Sequence, residues 1–195
     1  MRTLIIGDVH GCIDELDEML TVLDANPRKD RIIFIGDLVN KGPDSRAVYE
    51  RFRELEAESI LGNHEFRLLE QAADRRQRNG GYKALKREFG SKLFRTFLDD
   101  IRTWPSYLEE DELMVVHAGI VPGLHPKKTD PDVLVNIRTW DGEGKNLQGK
   151  DNPPWFDFYH EDRLIVFGHW AALGGVVRQN VIGLDTGCVL SLIHI

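Results

Sequence analysis

Four times along the chain a short apolar run ends in a glycine followed at once by a side chain able to bind a metal: Gly7-Asp8, Gly36-Asp37, Gly62-Asn63 and Gly168-His169. In the first of these, Asp8 and His10 stand two residues apart, so in extended backbone they project to the same side. A carboxylate beside an imidazole at a strand exit forms half of a divalent-metal site. His117, closing the run from Leu113 before Ala118-Gly119, adds another donor. Gly7, Gly36, Gly62 and Gly168 each sit just before a donor, where the missing Cβ lets backbone come close. Ligands gather outside the carboxyl ends of strands in open α/β sheets. Asp8, His10, Asp37, Asn63, His117 and His169 are therefore expected to face one region.

The segments between these exits predict the fold class. Leu16, Met19, Leu20 and Leu23 repeat at helical spacing, and Asn26-Pro27 stops that helix. Arg31 to Gly36 reads as a buried strand, Ser45 as an N-cap, and Val48, Phe52 and Leu55 as the apolar face of a second helix. Ser59 to Gly62 reads as a third strand. The order strand-helix-strand-helix-strand predicts parallel α/β units. Residues 65–103 read as a helical insertion, broken at Asn79-Gly80-Gly81. A hairpin follows, Ser106 to Leu108 and Leu113 to His117 across the turn Glu109-Glu110-Asp111-Glu112, then strands at Leu164 to Gly168 and Val181 to Leu184. The stretch from Val121 to Pro154, rich in Pro and Gly, is long for an irregular connection, which marks it as functional.

Composition narrows the function. The 195 residues suit a single domain, 1–195, and the apolar runs are too short to span a bilayer. The chain opens directly on a strand and has only Cys12 and Cys188, so it is expected to be cytoplasmic, without a signal peptide or disulfide framework. Its net charge of -7 argues against generic nucleic-acid binding but leaves room for a phosphorylated substrate, since bound cations reverse the local field. From Arg75 to Arg95 the balance is basic, either a solvated helical face or a cap that attracts a polyanion.

Six donors with a central carboxylate exceed the need of one tetrahedral zinc and suit two metals. Two cations about 4 Å apart clamp a phosphoryl oxygen and lower the pKa of bound water towards about 7. The mixed carboxylate, imidazole and amide set suits manganese, iron or zinc better than calcium. The ordered series GDVHG (7–11), GDLVNKG (36–42), GNHE (62–65), HAG (117–119) and GH (168–169) resembles the phosphoprotein-phosphatase family of metallophosphoesterases, across nearly the whole chain. The resemblance implies a four-layer α/β sandwich, two mixed β-sheets flanked by helices. It implies one metal, manganese above the others, on Asp8, His10 and Asp37. Asp37 would bridge to a second metal on Asn63, His117 and His169, and His64 would be the general acid that protonates the leaving oxygen.

Gly42-Pro43-Asp44-Ser45, Phe167-Gly168-His169-Trp170 and Leu184-Asp185-Thr186-Gly187-Cys188 resemble most closely the bacterial symmetrical diadenosine tetraphosphatases and their small phosphatase relatives. Lys41 stands where the family has a phosphate-binding arginine, giving charge without a bidentate fork. Asn63 would also touch the substrate phosphate, and Arg138 is a candidate second clamp. Asp185 would either orient a ligating histidine or cap a turn. Protein phosphatases of the family carry an aspartate at the position of Asn40, paired with the acid histidine. Asparagine orients His64 without stabilising its imidazolium, which favours substrates whose leaving group needs little protonation. The expectation is a phosphoester or phosphoanhydride hydrolase leaning to a dinucleoside polyphosphate, with a Ser/Thr protein phosphatase as alternative and an inactive scaffold of the same fold as a second. The partner is then a phosphorylated small molecule or phosphoprotein, with no membrane and no nucleic acid, and the sequence does not choose an oligomeric state. Leu190 to Ile195 replace the family's last glycine-rich turn and strand, and are expected to be a truncated or non-native tail.

Overall fold

The computed structural model describes residues 1–188. The expected tail, 190–195, lies outside the described residues. Strands β1 (Arg2–Ile6), β2 (Asp30–Phe34) and β3 (Glu58–Ser59) form a parallel sheet in the order β1-β2-β3. Helices α1 (Ile13–Val22) and α2 (Ser45–Glu54) make the crossovers. Ile32 and Phe34 enter the core under these helices with Leu16, Leu20, Val48 and Phe52, whereas Ile33 and Ile35 enter the core shared with the second sheet. That two-residue alternation explains why RIIFI is apolar throughout: both faces of the strand are covered.

The second sheet contains β4 (Tyr107–Glu109), β5 (Leu113–Val116), β6 (Leu164–Phe167), β7 (Val176–Arg178) and β8 (Val181–Gly183), in the order β4-β5-β6-β8-β7. Its inner strands β5, β6 and β8 are parallel, and the edges β4 and β7 are antiparallel. Val115 meets Ile33, Ile35 and Ile60 between the sheets. On the outer face, Leu134, Ile137, Trp155 and Phe156 cover Met114, Val116, Ile165 and Phe167. Leu134 and Ile137 come from the irregular stretch, which supplies the short helix α5 (Pro131–Leu134), while Trp155 and Phe156 come from the 3-10 turn Trp155–Phe158 directly after it. Much of that stretch is thus the sheet's outer layer, built of short turns. No helix among the described residues is long and apolar enough to cross a membrane.

Three local expectations need correction. Asp44, not Ser45, caps α2: its carboxylate accepts from Ala47 N at 2.8 Å, while Ser45 Oγ accepts from Asn40 N at 3.0 Å and so ties down a site loop. The third strand is only Glu58–Ser59, because Ile60 to Gly62 already turn towards the site. In the helical insertion, α3 (Asn63–Ala73) ends before a 3-10 turn, and Asn79 caps α4 (Gly80–Ile101), so Gly80-Gly81 start a helix. The true interruption of α4 is Gly90, at φ 71° and ψ 157°. Lys83, Lys86, Arg87, Lys92 and Arg95 are exposed along this helix, and no carboxylate pairs with them among the described residues.

Candidate metal centre

The loops after β1, β2, β3, β5 and β6 converge, and hydrogen bonds between them fix the convergence. Val9 N and His10 N donate to Asp37 O at 3.2 and 2.8 Å, Gly11 N to Leu38 O at 2.8 Å, and Gly168 N to His117 O at 2.7 Å. Close approach is possible only where a Cβ is missing. A Cβ on Gly62 would stand 2.3 Å from Asp37 Oδ1, and one on Gly168 would stand 2.1 Å from Asp8 Oδ1. His10, Asp37, Asn40, Lys41 and His169 all have left-handed backbone, with φ between 50° and 69°. Asp, Asn and His tolerate this region best, yet five such residues at one place is stored strain of the kind found at functional sites.

Asp37 Oδ2 is the centre of the cluster. The Nε2 atoms of His10, His117 and His64 lie 3.5, 3.6 and 3.9 Å from it. His10 Nε2 also lies 3.9 Å from Asp8 Oδ2, and Asn63 Oδ1 lies 3.2 Å from His117 Nε2. Asp8 accepts from His169 N at 3.1 Å, and the rings of His117 and His169 are 5.2 Å apart. Donor atoms of Asp8, Asp37 and His117, and of His10, Asp37 and His64, each fall within 4.8 Å of one another. All six expected ligands are therefore brought to one place, with Asp37 1% and His117 0% exposed.

The ring tautomers test whether this place fits a cation. His117 Nδ1 is 2.7 Å from Ile35 O and His10 Nδ1 is 3.2 Å from Val39 O. A carbonyl can only accept, so each Nδ1 carries the proton and each Nε2 presents a bare lone pair inwards. Burial lowers the pKa of His10 and His117 to about 3 and of His169 to about 2, so neither His10 nor His117 acquires a second proton to relieve the arrangement. Burial, then repulsion from Asp185 on Asp8 and from Glu65 on Asp37, likewise pushes both carboxylates well above the ordinary range. Lone pairs that face each other in a buried site are costly unless a cation lies among them. The ammonium of Lys41 supplies part of that need, 2.7 Å from His10 Nε2. The donor set fits divalent metal ions, with Asp37 able to serve two.

Asn40 Nδ2 lies 3.1 Å from His64 Nδ1 and, as donor, holds the neutral ring with its proton on Nε2, the atom facing Asp37. Burial, then Lys41 and Arg67, lower the His64 pKa to about 4. Arg138 is half-buried, close enough to oppose protonation of His169, and its Nε is buried with no hydrogen-bond partner among the described residues. Asp185 caps its own turn by accepting from Gly187 N at 3.0 Å, accepts also from Ala171 N in the loop that carries His169, and its charge raises the pKa of Asp8. Cys12 and Cys188 are free thiols in hydrogen-bonding reach of each other.

Sequence reasoning missed Glu65. Its side chain is 0% exposed, and its carboxylate accepts from Asp37 N at 2.8 Å and Leu38 N at 3.1 Å. It is the clamp that turns the Asp37 loop into the cluster. The available signal was an acid directly after two ligand-type residues at the start of a helix.

Comparison with known proteins gives the family of the chain. The family described as calcineurin-like phosphoesterase matches residues 1–174. A symmetrical bis(5'-nucleosyl)-tetraphosphatase of Nitrosomonas europaea is 30% identical, over 97% of this chain and 91% of that protein. The asymmetrical bis(5'-nucleosyl)-tetraphosphatase PrpE of Oceanobacillus iheyensis is 34% identical, over 97% and 85%. A crystal structure provisionally named a diadenosine tetraphosphatase superposes with a TM-score of 0.84 at 29% identity, covering 97% of this chain and 85% of that one. A yeast protein serine/threonine phosphatase, at a TM-score of 0.55 and 14% identity, shares the fold. The chain belongs to the calcineurin-like phosphoesterase family and is a hydrolase of phosphoric esters or anhydrides.

Proposed function

We propose that this protein hydrolyses dinucleoside polyphosphates such as diadenosine tetraphosphate at a dinuclear metal centre. The observation that carries the reading is the convergence of imidazole Nε2 atoms on Asp37 Oδ2, two of them with bare lone pairs. Asp8, His10 and Asp37 would hold one ion, and Asp37, Asn63, His117 and His169 the other, with manganese first and iron or zinc as alternatives. Such ions, when bound, activate water near neutral pH and offset charge on the phosphoryl group.

The chain's own residues perform the remaining work. Lys41, Asn63 and Arg138 hold phosphoryl oxygens; the Nε of Arg138, without a partner among the described residues, is a donor ready for one. His64 keeps its Nε2 proton towards the reacting region, positioned by Asn40. With a pKa near 4 that ring is neutral at pH 7, a weak proton source. An alkoxide leaving from a serine ester needs the proton strongly, whereas a phosphate leaving from an anhydride does not. This difference favours the nucleotide substrate over a phosphoprotein, as do the names of the tetraphosphatase relatives.

The test is a manganese-supplemented assay with diadenosine tetraphosphate, p-nitrophenyl phosphate and a phosphothreonine peptide side by side. The reading expects the highest kcat/KM on the tetraphosphate. Two nucleoside diphosphates as product mark central cleavage; a triphosphate with a monophosphate marks cleavage off centre. Preference for the peptide by tenfold or more would replace it with the protein-phosphatase reading.

A further inference from the structure

Beside the metal cluster a second concavity opens between α3 and the start of α4. It has a volume of about 240 Å3, and His64, Arg67, Gln71, Asn79 and Tyr82 are among its lining residues. That is below the roughly 300–1,000 Å3 of a site that swallows a drug-sized ligand, so it suits a phosphate or two and not a whole nucleotide. Asn40 and His64 both line it, so it adjoins the cluster around Asp37. Since His64 stands where the leaving oxygen would take its proton, this pocket is the exit side of the reaction.

Two arginines border the pocket region, and their circumstances differ. Arg78 is fully engaged: Nε donates to Gln71 O and Nη2 to Ala72 O, each at 2.9 Å, and the guanidinium lies 4.9 Å from the Tyr82 ring centre. It ties the end of α3 to the start of α4 and shapes the pocket. Arg67 lies one helical turn beyond His64, on the same face of α3, exposed and lining the pocket. No carboxylate forms an ion pair with it among the described residues. Its charge is felt at His64.

We propose that Arg67 binds the phosphate of the leaving group in this pocket and thereby selects phosphoanhydrides over simple phosphate esters. The inference rests on the hydrolase reading above and adds a specificity residue to it. In the reaction, oxygen from water forms a bond to phosphorus and the bridging P–O bond breaks, its electron pair going to the leaving oxygen. When that oxygen belongs to another phosphate, its charge spreads over oxygens that a guanidinium can meet in a fork. An aryl or alkyl leaving group offers Arg67 no such oxygens.

The experiment compares wild type, Arg67→Met and Arg67→Lys on inorganic tripolyphosphate, diadenosine tetraphosphate and p-nitrophenyl phosphate, with manganese present. Methionine keeps helix propensity at an exposed position, so thermal unfolding should be unaltered and reports on folding. The expected result is a ten- to hundredfold fall, as for loss of about one charged hydrogen bond, in the ratio of kcat/KM on either anhydride to that on the phenyl ester. Arg67→Lys should recover part of the ratio. Inhibition by inorganic pyrophosphate should weaken in parallel in Arg67→Met, a binding readout independent of turnover. An unchanged ratio, or an equal loss on all three substrates, overturns the assignment. Wild type that cleaves tripolyphosphate but not the tetraphosphate would overturn the nucleotide reading and leave the Arg67 ratio measurable. Wild type that cleaves only the phenyl ester would overturn both.

Discussion

Replacing Glu65 by glutamine isolates the clamp on the bridging carboxylate. The buried side chain accepts two backbone N–H groups, from Asp37 at 2.8 Å and Leu38 at 3.1 Å. An amide keeps one acceptor and turns an NH2 towards the other N–H, so one buried backbone donor and one side-chain donor lose their partners. Each such loss costs about 1–3 kcal/mol. Against this, the carboxyl that is removed was itself held above its ordinary pKa by burial, and a neutral amide escapes that penalty. The net expectation is about 2 kcal/mol, which for a chain of this size lowers Tm by roughly 4–8 °C. Glu65→Ala removes both acceptors and should cost about 2–6 kcal/mol before any cavity term. Urea unfolding in chelator measures these numbers without any contribution from metal. In the same variant Asp37 is no longer pinned, so manganese affinity should fall at least tenfold, read by calorimetric titration. Glu65→Gln within about 0.5 kcal/mol of wild type, with unchanged manganese affinity, would refute the clamp.

Three other outcomes follow from the same geometry. Asp37→Asn, isosteric at the shared ligand, should abolish turnover, and near-normal rates in metal-replete buffer would count against a bridging role. His64→Asn should slow hydrolysis of an alkyl phosphate more than that of p-nitrophenyl phosphate, because only the former needs the proton; equal losses would remove His64 as the acid. Stability should depend on pH differently with and without metal. The buried histidines keep lowered pKa values, about 3 for His10 and His117, so the unfolded chain binds more protons than the fold between about pH 6.5 and 3, and acid destabilises. In metal-free protein the raised pKa values of Asp8 and Asp37 act oppositely: their contribution is full below the unfolded value of about 4 and is lost as pH rises through the folded value. Metal ligation keeps those carboxylates ionised and removes the offset. Tm should therefore fall more steeply from pH 7 to 5 in manganese than in chelator, and parallel slopes by differential scanning fluorimetry would contradict the linkage.

The clustered donors were legible because each stands at the exit of an apolar strand, four of them directly after a glycine, a local pattern that needs no tertiary knowledge. Their convergence could be inferred from the parallel crossovers. Glu65 was not legible, since its importance lies in backbone N–H groups 27 and 28 positions earlier in the chain. Edge strand β7 was missed for a different reason: Val177 is 81% exposed, so no alternation of burial marks the segment. The interruption at Gly90 did leave a trace, as the buried positions Leu85 and Phe89 are followed by Phe94, a step of five that slips the helical phase. Arg67 had no trace at all. One more charge on a helix is ordinary, and only its position beside His64 in a pocket gives it meaning.

The central claim is that Asp37 joins two metal ions in one centre. Its most direct test is the manganese content of the protein after loading and gel filtration. Two ions per wild-type chain, and loss of at least one in Asp37→Asn, are expected. A single ion in wild type, or two retained in the variant, would contradict the account.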